Sequence, residues 1–337
     1  TAQIVKSTLF VNTKRTENYW PNLKAKEPQY NTWSWAPRIK FDIKGPLSGG
    51  SQIIVDYMQP DGKKWLSTTC ETPELPKDIA SSISCTDFNE KLGITKTGAF
   101  KFKIHVKNEL EGKDQEIFKG HFMVNKFHVG NNLAKFKNQF EYYVEHDWLI
   151  PMGYVTYPVQ KASYSDELDW DQMPTFKVWL RKETDTSHLA GYLYYNGKQV
   201  ASTKHFGFAG DHESISTPGS DKDPYWQLFS FRFYNVYYYL KDGYNKPENA
   251  QMLNENPGEY ELKVLRDGKL ARVMKFSFGQ DGKIVNPLNF GEFKYGGEWR
   301  VLLPVKVVGD TDGKWNQNMW KTDMFYGNQV AGFQPLN

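Results

Sequence analysis

The sequence predicts an all-β chain: tandem immunoglobulin-like or fibronectin-like β-sandwich domains followed by a C-terminal partial β extension. Three observations carry this. Apolar and polar residues alternate in short runs. In one, Phe100, Phe102, Ile104 and Val106 alternate with Lys101, Lys103, His105 and Lys107, which is the period of a half-buried strand. Turn dipeptides such as Asp61-Gly62, Asn196-Gly197 and Asp267-Gly268 separate apolar stretches, a strong short-range hairpin signal. One stretch also occurs twice. Trp33 to Lys44 reads W-S-W-A-P-R-I-K-F-D-I-K, and Trp170 to Arg181 reads W-D-Q-M-P-T-F-K-V-W-L-R.

In chain order, residues 4–12 read as a first strand. An irregular polar stretch with Pro21 and Pro28 follows, and then the Trp33 motif. Beyond it Ile39, Phe41 and Ile43 alternate with Lys40, Asp42 and Lys44. Gln52–Tyr57 and Lys64–Thr69 form a hairpin about Pro60-Asp61-Gly62-Lys63. Ala99–Lys107 and Ile117–Val124 complete a unit of roughly seven strands, the number expected of such a sandwich. This unit is placed at residues 1–130.

The second unit, residues 131–285, repeats the order. Phe140–Val144 and Trp148–Tyr157 lead in. Trp170, Pro174 and the strand Phe176, Val178, Leu180 follow, and a hairpin turns at Asn196-Gly197-Lys198. Tyr57 and Tyr194 fall at matching places before the two hairpin turns, and Pro257-Gly258-Glu259-Tyr260 matches Thr97-Gly98-Ala99-Phe100. The copies differ by an insert at residues 205–256. It holds a Gly/Ser/Asp loop, Gly207–Asp223, and then the densest aromatic run, Tyr225 to Leu240. Residues 286–337 read as the start of a third copy. An unfinished sandwich must bury its face on the preceding domains or on a partner.

Composition narrows the function. Of 337 residues, 16% are aromatic, with 20 Tyr and 11 Trp, which suits pleated surfaces and surfaces that contact sugars or proteins. The net charge of +3 is mild, and the lysines are spread along strands rather than gathered in a stripe, so no nucleic-acid partner is expected. No apolar run reaches the length of a membrane span. Cys70 and Cys85 lie close together in a Thr/Ser/Pro-rich segment. They read as a local disulfide, the alternative being two thiols in a reducing compartment. With the Thr1-Ala2 start this places the protein outside the cell or in a periplasm, its signal peptide already removed.

Candidate chemistry is sparse. None of the seven histidines forms a metal-binding pair motif, and His105 falls on the polar, solvent-facing phase of its strand. Asp211, His212, Glu213, Asp221 and Asp223 are weak candidates for a divalent ion, which prefers several oxygen ligands; no metal and no cofactor is expected. Asp310-Thr311-Asp312-Gly313 begins like a calcium loop but lacks its later ligands and reads as a hairpin turn. Asp166, Glu167, Asp169 and Asp171 read as a solvated turn. No nucleophile elbow, phosphate loop or dinucleotide fingerprint occurs.

The aromatic run carries the ligand-binding candidates: Tyr225, Trp226, Tyr234, Tyr237, Tyr238 and Tyr239. Phe229, Phe231 and Phe233 share one strand face. Three successive tyrosines at 237–239 cannot all be buried by one side of a strand, so some belong at a surface or an interface. Three functions follow as expectations. The first is a non-enzymatic exported protein for adhesion or an accessory subunit of a surface or periplasmic assembly, with a protein partner and oligomerisation through edge strands. The second is carbohydrate binding through the 225–244 segment. The third is a hydrolase around Asp211, His212 and Glu213.

Overall fold

The structure, a computed structural model, describes residues 1–16, 34–85, 92–128, 140–158, 173–214, 224–240, 245–294 and 297–337. The side chains of residues 206–208, 211–214 and 294 also lie outside the description. The protein is all-β and divides into two compact units. The first is Thr1–Glu145 with Phe325–Asn328; the second is His146–Met324 with Gln329–Asn337. Trp33 and Trp170 of the repeated motif lie outside the described residues.

In the first unit, β1 (Gln3–Thr16), β2 (Ser34–Lys44) and β5 (Ala80–Cys85) form one sheet in the order β1-β2-β5. The other sheet has the order β4-β3-β6-β7-β8. Its strands are β3 (Ser51–Met58), β4 (Lys64–Cys70), β6 (Gly98–Asn108), β7 (Lys113–His128) and β8 (Phe140–Val144). Alternation aims Ile39, Phe41 and Ile43 of β2 inward, with Ile53, Val55 and Tyr57 of β3 and Phe100, Phe102 and Ile104 of β6, all buried. Trp35, the second Trp of the motif, is buried in the core, edge-on to Trp65 at 5.2 Å and to Phe100 at 4.9 Å. The sequence places the domain boundary at residue 130. The first unit instead runs to Glu145, because β8 pairs with β7 and the Glu145 amide donates to the Met123 carbonyl at 2.8 Å.

Both long edges of the first unit are tied. Beside β8, the Thr13 hydroxyl of β1 donates to the Tyr142 carbonyl, and Arg15 pairs with Glu141 at 3.1 Å. At the other edge the Cys70–Cys85 disulfide joins β4 to β5, one strand from each sheet. Closing a loop across a sequence separation of 15 contributes about 3 kcal/mol on the chain-entropy view.

The first unit's core is completed by Phe325–Asn328. Tyr326 is buried, its hydroxyl accepts the Val11 amide proton at 2.9 Å, and its ring meets Phe102 edge-on at 5.8 Å. Gly120 makes room for it, since a Cβ there would lie 2.8 Å from the Tyr326 carbonyl oxygen. Nearby, the Tyr57 hydroxyl is fully buried with no hydrogen-bond partner among the described residues. An unsatisfied buried hydroxyl costs stability that a phenyl ring does not. Tyr57→Phe is therefore expected to stabilise the first unit by about 1 kcal/mol, read as a higher unfolding midpoint. A drop in the midpoint would show that the hydroxyl has a partner after all.

The second unit has one continuous antiparallel ladder, β12-β11-β17-β18-β20-β9-β10-β14-β13, with β19 on β20. Its strands are β9 (Met152–Pro158), β10 (Thr175–Arg181), β11 (Leu189–Tyr195), β12 (Lys198–Ser202), β13 (Gly207–Ser214), β14 (Trp226–Phe233), β17 (Gly258–Arg266), β18 (Lys269–Phe278), β19 (Gly291–Lys294) and β20 (Glu298–Val307). A parallel pair, β15 (Val236–Tyr237) and β16 (Gln251–Met252), stands apart.

β20 turns the corner of this ladder. Its residues 298–304 pair with β9, and its residues 305–307 pair with β18. A strand that switches neighbours in this way joins two packed layers. Gly153 lets the strands close in, as a Cβ there would lie 2.7 Å from Val305 Cγ2 and 2.8 Å from the Lys177 carbonyl oxygen. Between the layers lie Phe176, Val178 and Leu180 of β10, Phe229, Phe231 and Phe233 of β14, Leu262 and Val264 of β17, Met274 and Phe276 of β18, and Val301 and Leu303 of β20. Residues 298–307 are thus central to the second unit.

Matched by chain order, β9, β10 and β14 are neighbours as β1, β2 and β5 are, and β12-β11-β17-β18 follows the order β4-β3-β6-β7. Gly98 and Gly258 open β6 and β17 with φ of 117° and 143°, values that favour glycine. Two residues beyond them, Phe100 and Tyr260 fill corresponding core places. The match of Tyr57 with Tyr194 does not extend to their surroundings. Tyr57 is in the core, whereas Leu193 takes that role in β11 and Tyr194 sits half-buried under the Lys263 ammonium at 4.5 Å. The tighter Asn196-Gly197 turn, with both residues at positive φ, shifts the phase.

Candidate binding surface

The insert's aromatic residues separate by strand phase. Phe229, Phe231 and Phe233 face the core, which leaves Trp226 and Leu228 on the opposite face of β14. That face is also covered. Trp226 is 0% exposed, its Nε1 donates to Asp147 Oδ1 at 3.0 Å, and the Arg181 guanidinium lies 5.5 Å from its ring. Tyr225 is buried as well, and its carbonyl accepts the Lys182 amide. Neither can offer a ring to a ligand, contrary to the sequence expectation. Their partners, Asp147 and Arg181, lie far away in the chain and carry no local signal.

After β14 the chain turns at Tyr234-Asn235. Asn235 is buried and pins the corner, donating from Nδ2 to the Val200 carbonyl at 2.9 Å and to the Asn249 carbonyl at 3.3 Å. β15 and β16 follow, and the Leu253 amide bonds the Tyr237 carbonyl at 2.9 Å. The three tyrosines therefore leave regular strand geometry. Tyr238 turns inward, packs on Tyr157 at 4.6 Å and donates its hydroxyl proton to the Gly282 carbonyl at 2.9 Å. It too is excluded as a platform. Burial raises its hydroxyl above the usual tyrosine range and pushes that of Tyr157 up to about 12.

What stays accessible is a corner. Tyr234 is 48% exposed, and the half-buried Tyr237 donates its hydroxyl proton to the Tyr234 carbonyl at 2.7 Å. Tyr239 is half-buried against the core and edge-on to Tyr238. Of the six candidates, then, the structure leaves Tyr234, Tyr237 and Tyr239 able to touch a partner.

The other candidates fare differently. Asp211, His212 and Glu213 lie in β13, with His212 opposite Phe229 and Glu213 opposite Leu228, so the first half of the expected loop is strand. Asp221 and Asp223 lie outside the described residues, as do Asp166, Glu167, Asp169 and Asp171. Among the described residues no group of three His, Cys, Asp or Glu side chains is placed to hold a metal. His105 is on the outer face of its sheet but only 18% exposed, with Nδ1 2.6 Å from Asp114 and Nε2 3.3 Å from Asp56. It bridges carboxylates from two neighbouring strands.

Sequence reasoning missed the most charged buried cluster. The Asp310–Gly313 segment is a turn, with the Gly313 amide on the Asp310 carbonyl at 3.0 Å, but Asp312 points into the molecule. Its carboxylate takes both Arg272 terminal nitrogens, at 2.6 and 2.5 Å, and the Arg181 amide at 2.8 Å. Arg272 Nε donates to the Trp179 carbonyl at 3.0 Å. Arg266 donates to the carbonyls of Arg181, Lys182, Glu183 and Thr311. Close by, Asp147 accepts from Arg181 Nε at 2.9 Å and from the Asn316 amide at 2.6 Å. The cluster plugs one end of the second unit's core and satisfies the carbonyls that β10 leaves open as it ends. Every charge has a short-range partner, which marks a structural network.

No protein-family model matches the chain, and no curated protein matches it. No helix among the described residues is long and apolar enough to cross a membrane.

Proposed function

We propose that this is an exported, non-enzymatic binding protein, built from two immunoglobulin-like sandwich units and working in adhesion or as an accessory subunit of a surface or periplasmic assembly. The matching strand orders of the two units support the tandem reading, and the Cys70–Cys85 disulfide is compatible with an oxidising, extracellular compartment. The observation that carries the binding role is the Tyr234 corner. A large ring stands half exposed on a backbone fixed by the buried Asn235 and by the Tyr237 hydroxyl. Rigid, exposed tyrosines anchor interfaces at low entropic cost. A tyrosine face also stacks on sugar rings, so carbohydrate binding at the same corner is the second reading.

A photo-reactive phenylalanine analogue at position 234, activated on intact cells, tests this. One defined protein adduct is expected, formed by a chain whose melting temperature is unchanged. Tyr234→Ala should weaken purified binding of that partner about tenfold or more, the size of an interface anchor. Glycan-array binding lost in Tyr234→Ala would favour the second reading. Silence in both experiments would remove this corner as a binding site.

A further inference from the structure

The stretch W-N-Q-N-M-W, Trp315 to Trp320, places three neutral carboxamides between two indoles. Its backbone is fixed. The Asn316 amide donates to the buried Asp147 carboxylate at 2.6 Å, and the Asn316 side chain accepts the Asn318 amide at 3.0 Å. The Met319 and Lys321 amides donate to the Asn316 and Asn318 carbonyls at 3.3 and 3.0 Å, and the Met319 side chain is buried. What stays outward is amide and indole. Asn316, Gln317 and Asn318 are exposed, and Trp315 and Trp320 are half-buried.

These polar groups are uncommitted. Trp35, Trp65 and Trp226 each donate the indole N–H to a partner. Trp315 and Trp320 make no such bond among the described residues, and neither indole nitrogen is buried. The side-chain amides of Gln317 and Asn318 also make no hydrogen bond among the described residues. Trp320 stands edge-on to Phe333 at 5.8 Å, with the Lys321 ammonium 5.8 Å from its ring. Trp315 makes no ring contact of this kind among the described residues.

A carboxamide presents donor and acceptor side by side, a match for neighbouring sugar hydroxyls, and an indole face matches the C–H face of a pyranose. No residue from 315 to 320 carries a charge. We propose that this stretch binds a neutral oligosaccharide, with Trp315 as the stacking ring and Gln317 and Asn318 as the hydroxyl-binding groups. The fixed backbone limits the ordering cost of binding. The site is separate from the Tyr234 corner. Asp147 ties it to Trp226, which opens β14, whereas Tyr234 follows the last residue of that strand, roughly 25 Å further along it.

The test is calorimetric titration of the full chain with cellohexaose, maltohexaose, mannohexaose and chitohexaose. Lys314 and Lys321 flank the stretch, so hexagalacturonate serves as the acidic control. Saturable binding of a neutral hexasaccharide is expected. Trp315→Ala should weaken it about tenfold or more. Gln317→Ala, at an exposed site that leaves the packing untouched, should weaken it about threefold to tenfold, the loss of one hydrogen bond. Tyr234→Ala should leave it unchanged, which keeps failure of this site distinct from failure of the Tyr234 corner. Saturable binding of none of the neutral sugars, or of hexagalacturonate alone, would overturn the proposal. So would wild-type affinity in both Trp315→Ala and Gln317→Ala.

Discussion

Asp312→Ala is expected to destabilise the second unit by about 3–5 kcal/mol, the cost of leaving a buried charge without its partner. Arg272 is 0% exposed, and once the carboxylate is gone its two terminal nitrogens keep only the Ala271 carbonyl among the described residues. The Arg181 amide loses its acceptor in the same step. Removing both charges, as Arg272→Met with Asp312→Leu, should cost less than the single change, because nothing charged is then left in the low-dielectric interior. Hydrogen exchange of the β18 and β10 amides reads the second unit separately, which matters because a two-unit chain need not unfold in one step. A loss below about 1 kcal/mol in Asp312→Ala would place the cluster among surface ion pairs.

Tyr326→Ala should cost the first unit about 3–5 kcal/mol, as large-to-small changes of a buried aromatic residue do. The ring leaves a cavity against Phe102, and the Val11 amide loses its acceptor. Tyr326→Phe isolates the second effect and should cost about 1–3 kcal/mol, the penalty for an unpaired buried donor. Exchange at β1 should accelerate in both variants, more in the alanine one. If β1 exchange stayed at the wild-type rate, residues 325–328 would be mere surface cover. Phe325 and Tyr326 both lie in the left-handed region, with φ of 45° and 59°, a conformation costly for bulky residues. Their burial is what offsets it.

Much of the strand pattern could be read from period-two alternation, because that signal is local. β2, β6, β14 and β17 each fall where apolar residues alternate, and the hairpins turn where Asp-Gly or Asn-Gly occurs. The pairing of Cys70 with Cys85 was legible for the same reason. What could not be read depends on residues far apart in the chain. Trp226 looks like an exposed platform until Asp147 and Arg181 are placed beside it. Asp312 looks like a turn residue until Arg272 is found beneath it. Tyr238 and Tyr239 are adjacent in sequence, yet the bend after β15 buries the first and leaves the second half-covered. The repeat within the chain hid the role of β20, whose likeness to a lead-in strand suggested a new copy when its place was in the existing sheet.

That place sets an order of events during synthesis. β9 is the first strand of the second unit to emerge, and its neighbour β20, which pairs Tyr154 with Leu302, is the last of the ladder. Until residues 298–307 arrive, β9 and β18 each present an unpaired edge, the kind of surface that pairs with other chains. Such distant pairing also slows folding, since the loop entropy must be lost before the contacts form. The first unit waits longer still, since Phe325–Asn328, which complete its core, follow β20 in the chain, so both units close only once the residues from 298 onward have been made.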